Sequence, residues 1–184
     1  MTALTWTDSL ALQQPQMDAT HEEFVALLAS TDAALLGPEA LLLSRFQALV
    51  AHTVEHFEQE ERWMLATGFA PENCHAMQHQ AVLGVMQECA VRAAATDEPD
   101  FEPLRMAVQE LAAWFPQHAQ MMDAALAQHL QDVGFDVDTG QCRLAVPAGS
   151  QADTEADTEA DTEAEPDARP TSPALSGCGS RACA

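Results

Sequence analysis

The sequence predicts an all-α protein: an antiparallel up-down-up-down four-helix bundle with an N-terminal extended arm and a disordered acidic C-terminal tail. Three observations carry that expectation. Apolar residues recur at helical spacing through four long segments, each segment is bounded by glycine, proline or a polar stretch, and the links between them are short, as antiparallel neighbours require.

The residues before position 18 read as an arm laid across the bundle, with Trp6 and Leu10 as anchors. The first helix is expected over about residues 18–36, where Phe24, Leu27, Leu28 and Leu35 share a face before Gly37-Pro38 interrupts. Pro38 suits the first position of a second helix, because it has no N–H to leave unpaired there. Leu42, Phe46, Leu49, Val50, Phe57 and Met64 mark its apolar stripe, Gly68 ends it, and a turn is expected over 68–72. A third helix over about 73–95 carries Met77, Val82, Val85, Met86 and Cys89, and closes in Thr96-Asp97-Glu98-Pro99. The fourth, over about 101–130, carries Leu104, Val108, Leu111, Phe115, Met122 and Leu126. Pro116 lies within it and removes a helical hydrogen bond, which costs roughly 3 kcal/mol in an undistorted interior, so a kink is expected just before His118.

Residues 1–135 therefore form the bundle, 136–150 connect, and 151–184 form the tail. The tail repeats ADTEADTEADTEA, with eight acidic residues between Asp153 and Asp167, and ends in SGCGSRACA. Such a stretch repels itself and has nothing to bury, so it is expected to act as a disordered spacer carrying Cys178 and Cys183 on a mobile tether.

The chain has 29 acidic residues against seven basic ones, all arginine, for a formal charge of −22. That field disfavours nucleic acid and anionic lipid as partners. The N-terminal MTALTWTDSL has no basic region followed by an apolar core, and no apolar run approaches the ~18 residues of a membrane-spanning helix, so a cytoplasmic protein is expected. Five scattered cysteines do not read as a disulfide framework.

The chemistry sits in three short motifs: His56 and Glu60 in HFEQE, His75 and His79 in HAMQH, and His118 with Asp123 in HAQMMD. Four residues carry an α-helix about 40° past a full turn and five about 140°, so each pair is expected on one side of its helix. His21, in MDATHEEF, supplies a fifth imidazole from the first helix. Imidazole with carboxylate suits iron, manganese or zinc, and no cysteine takes part. Each carboxylate has two oxygens, so Glu60 and Asp123 could contact two cations at once. Even with both carboxylates and an oxide or hydroxide bridging, seven protein ligands then leave two six-coordinate ions with one exchangeable position. His52 and His129 are read as non-ligands because the set is complete without them, and Cys74 should point away from His75, since neighbours on a helix lie about 100° apart.

Over about residues 1–135 these features resemble the bacterial hemerythrins, oxygen-binding di-iron proteins built on a four-helix bundle. The resemblance runs through the Trp6 arm, MDATH, HFEQEE, HAMQH and WFPQHAQMMD. It implies two non-haem iron ions joined by an oxo or hydroxo bridge, one held by His75, His79 and His118, the other by His21 and His56, with Glu60 and Asp123 bridging. O2 would bind at the open position on the two-histidine iron, in a pocket lined by Phe24, Phe57, Trp114, Phe115 and Ala119. The family usually has a bulkier aliphatic residue at the last of these positions, so Ala119 is expected to leave more room and to hasten oxidation of the oxygenated form. The function implied is reversible O2 binding, for storage, delivery or sensing, rather than catalysis. An oxygen-consuming or signalling protein is the partner such a carrier would serve. The alternative is a di-iron redox protein acting in peroxide or nitric oxide chemistry or in repair of iron centres.

Overall fold

In a computed structural model of the chain, residues 4–69 and 74–142 are described. The acidic repeat and both tail cysteines lie outside them, as does most of the turn expected over 68–72.

Helix α1 spans Pro15–Ala33, α2 Glu39–Thr67, α3 Cys74–Ala93 and α4 Glu102–His118. The fourth helix continues through a π-helical turn, Ala119–Asp123, into α5, Ala124–Asp132. α1 packs on α2 and α4, and α3 packs on α2 and α4, which closes the square of a four-helix bundle. The expected fold is present.

α1 begins three residues earlier than the sequence reading placed it, with Pro15 in its first turn. The side chain of Gln14 accepts a hydrogen bond from the Met17 N–H at 2.6 Å, and Asp18 Oδ1 accepts from the Leu12 N–H at 2.7 Å. The first bond occupies an N–H that a helix start otherwise leaves open, and the second ties the arm to the first turn. The arm before it carries one 3-10 turn, Asp8–Leu10; Leu10 is buried, and Leu4 and Trp6 pack on the main core as anchors. At the far end of α2, Gly68 takes the left-handed conformation (φ 69°) that ends a helix most readily without a Cβ, and its N–H returns to the Met64 carbonyl.

The core is layered along the bundle axis. One apolar cluster gathers Phe24, Leu28, Phe46, Leu49, Met86, Leu104 and Phe115 among others. A second gathers Met17, Trp63, Met64, Leu126, Ala127 and Leu130. Along α1 the order is Met17, His21, Phe24; along α2 it is Phe46, His56, Glu60, Met64; along α4 and α5 it is Phe115, His118, Asp123, Leu126. A polar layer thus lies between two apolar ones, and the order reverses from helix to helix as an up-down topology demands. Each fully buried Leu, Phe or Met contributes roughly 1.5–3 kcal/mol, so the two apolar layers stabilise what the polar layer costs.

Three local expectations change. Met77 and Val85, read into the buried stripe of α3, are exposed at 69% and 59%, while Met86 and Cys89 are buried. Pro116 is accommodated inside α4, and the irregularity falls three residues later, in the π turn. Residues 136–150, read as a plain connection, begin with an antiparallel hairpin pairing Phe135–Asp136 with Gln141–Cys142. Phe135 and Val137 pack on the second apolar cluster, which holds the hairpin against the bundle end.

Candidate metal centre

All seven residues singled out for metal binding meet in the polar layer, and each is at most 3% exposed. Most of this follows from helical spacing. His56 and Glu60, like His75 and His79, are four apart and share a face. His118 and Asp123 are five apart and on a regular α-helix would diverge by about 140°, so α-helical spacing does not by itself give this pair the shared side expected from the sequence. The π turn resolves this: the Ala124 N–H bonds the Ala119 carbonyl, five residues back, and this wider coil stacks Asp123 beneath His118.

Every imidazole turns Nε2 inward, and the two carboxylates divide their oxygens between two groups. Glu60 Oε1 lies 2.8 Å from His56 Nε2 and 3.8 Å from His21 Nε2. Its Oε2 lies 3.1 Å from His75 Nε2 and 3.5 Å from His79 Nε2. Asp123 Oδ2 lies 3.3 Å from His21 Nε2, whereas Oδ1 lies 2.9 Å from His75 Nε2 and 3.0 Å from His118 Nε2. One oxygen of each acid faces the histidines of α1 and α2, and the other faces those of α3 and α4. Ligating atoms of His75, His79, His118 and Asp123 fall within 4.8 Å of one another, as do those of His21, His56 and Glu60.

His56 Nε2 bonds Glu60 Oε1 at 2.8 Å and His79 Nε2 bonds His118 Nε2 at 3.0 Å, but the other converging donors are left over. His21 Nε2, His75 Nε2, Glu60 Oε2 and both Asp123 oxygens are buried and have no hydrogen-bond partner. Unpaired buried polar atoms are expensive, and here they aim at shared points that a cation would fill. The residues present fit a pair of metal ions, and their imidazole and carboxylate chemistry suits a non-haem iron centre.

Electrostatics agree. Burial alone would raise the pKa of both acids, yet the surrounding imidazoles hold Glu60 and Asp123 well below the ordinary carboxylate range. Burial opposes charge on His21 and His75, but Asp123 and Glu60 over-compensate and raise each to about 9. His79 goes the other way, to about 3, because burial and the neighbouring His75 and His118 outweigh the attraction of Glu60. Metal-free, the layer therefore carries two carboxylates balanced by protons on His21 and His75.

The five residues expected to line a ligand pocket also adjoin this layer. Phe57 stacks on His79 at 3.7 Å and Trp114 on His118 at 4.3 Å. Phe115 meets His21 edge-on at 5.2 Å and stacks on Phe24 at 4.5 Å. Ala119 is fully buried in the main apolar cluster. His52 and His129, set aside as non-ligands, bond backbone carbonyls: Nε2 of His52 donates to Thr20 O at 3.1 Å, and Nε2 of His129 to Thr67 O at 3.2 Å. Cys74 is exposed and away from the layer. Sequence reasoning passed over Gln78, whose Oε1 lies 3.1 Å from His118 Nδ1; its place between His75 and His79 was the available signal.

Comparison with known proteins agrees with the geometry. Residues 14–130 match the model of the hemerythrin HHE cation binding domain. The chain is 37% identical over 137 residues to a Bacteriohemerythrin of Ralstonia nicotianae, an alignment covering 74% of this chain and 95% of that protein. No solved structure gives a significant match. With the family model spanning the whole bundle and a relative similar over nearly its full length, the chain belongs to the hemerythrin family.

Proposed function

We infer that this protein binds O2 reversibly at a di-iron centre, for oxygen storage, delivery or sensing. The observation that carries the reading is the division of the carboxylate oxygens: Glu60 and Asp123 each offer one oxygen to His21 and its neighbour and the other to His75 and its neighbours. In this reading His75, His79 and His118 would hold one iron and His21 and His56 the other, with Glu60 and Asp123 shared between them. Paired irons supply the two electrons that O2 binding draws on.

The remaining residues serve the site by position. With three histidines on one side, two on the other and both acids shared, the His21 and His56 side would leave more room for an exogenous ligand. Phe115 lies against His21 there, backed by Phe24. Phe57 and Trp114 cover the rings of His79 and His118, and Ala119 is buried in the main apolar cluster, on which Trp114 also packs. These side chains exclude water, whose entry would favour irreversible oxidation. The name of the Ralstonia relative supports the oxygen-binding reading.

The test is the visible spectrum of anaerobically reduced, iron-loaded protein before air, in air, and again under argon. A charge-transfer band that appears in air and fades under argon is the expected result. Immediate and permanent conversion to a ferric spectrum would replace this reading with peroxide or nitric oxide redox chemistry, and failure to take up iron would overturn it.

A further inference from the structure

We propose that Gln78 is a positioning residue of the metal centre, its side-chain carbonyl holding His118 in the tautomer and direction that present Nε2 to the three-histidine ion. The inference rests on the di-metal reading above.

Only a deprotonated ring nitrogen can bind a cation, and which nitrogen is free depends on what the other one meets. All five imidazoles of the polar layer face inward through Nε2, so each needs its proton on Nδ1. For His21, His56, His75 and His79, Nδ1 is buried with no hydrogen-bond partner. His118 differs. Its Nδ1 stands 3.1 Å from Gln78 Oε1, and a carbonyl oxygen only accepts, so the proton is held on Nδ1 and the Nε2 lone pair is left facing the site.

His118 also stands where the backbone pattern changes. It is the last residue of α4, where the regular hydrogen-bond ladder gives way to the π turn. Trp114 stacks on its face at 4.3 Å, with 25° between the ring planes. Stacking sets the plane of the ring but permits the half-turn flip about Cβ–Cγ that exchanges ring nitrogens and carbons within that plane. The hydrogen bond that Nδ1–H donates to Gln78 Oε1 selects one of the two orientations. It also ties α3, which supplies His75 and His79, to α4, which supplies His118, so the two halves of the three-histidine group are held in register by a neutral acceptor.

The test uses the full chain loaded with zinc, which is diamagnetic and takes the same donors. Wild type, Gln78→Leu and Gln78→Glu are compared for zinc content, for the rate of release to excess chelator, and for the His118 Nδ1–H resonance by NMR. In Gln78→Leu one of the two bound ions is expected to leave about 10-fold to 100-fold faster, the range for losing such an outer partner. The Nδ1–H signal is expected to vanish through exchange with water. Gln78→Glu keeps an acceptor and is expected to retain both the signal and slow release, which a merely structural role for Gln78 would not predict. Unchanged release with a persistent Nδ1–H in Gln78→Leu would overturn the proposal while leaving the di-metal reading intact. Fewer than two zinc ions on the wild type would overturn both.

Discussion

Removing the metal should expose an unusual dependence of stability on alkaline pH. In the metal-free layer His21 and His75 carry protons against Glu60 and Asp123, and each has its pKa raised from 6.5 to about 9. A group with a raised folded pKa contributes stability that is fully present below its unfolded value and lost as pH rises through the folded one. The loss therefore falls between pH ~6.5 and ~9. A shift of this size corresponds to about 3 kcal/mol for one histidine. Both share the same two acids, so the pair contributes less than twice that. For a domain of this size a loss of about 3 kcal/mol lowers Tm by roughly 10 °C. The chain has neither lysine nor tyrosine, so its five cysteine thiols and the terminal amine are the main groups that compete in this range. Burial pushes the Cys89 thiol upward, and a variant with all five cysteines replaced by serine separates the thiol contribution. Far-UV circular dichroism melts of chelator-treated protein at pH 6.5, 8 and 9.5 measure the effect, with metal-loaded protein as the flat reference. A metal-free Tm that holds constant or rises across this range would refute the charge assignment.

The same balance predicts that loading two divalent ions at pH 7.5 releases close to two protons, those of His21 and His75; an indicator dye in weak buffer counts them, and release near zero would contradict the balance. Ala119→Ile should slow oxidative loss of the oxygenated, iron-loaded protein, measured as decay of its visible band in air. Because Ala119 is fully buried, the added volume should cost about 1–3 kcal/mol of stability. Gly68→Ala should destabilise the chain by about 1–2 kcal/mol in a denaturant titration and leave metal content unchanged. There a Cβ meets no atom within 4 Å, so the cost is that of placing an L side chain at φ 69°, far from the metal layer.

Much of this protein is determined locally, and that part was readable from the chain. Helical periodicity and Gly-Pro punctuation are properties of neighbouring residues, and they yielded four helices and the apolar stripe of each. Spacings of four yielded the paired donors of α2 and α3, because a helix face repeats at that interval. What only the tertiary structure decided depends on contacts between distant segments. Gln78 reads as an ordinary polar residue until α4 brings His118 to it, and Phe135 and Val137 form a hairpin only where the second apolar cluster gives them something to cover. Met77 and Val85 are apolar yet exposed, since which side of α3 meets the core is fixed by where α2 and α4 stand. The five-residue step from His118 to Asp123 is the clearest case. A regular helix would separate the two, and from the π turn that unites them the Asp123 carboxylate meets His21 and His75 across the bundle.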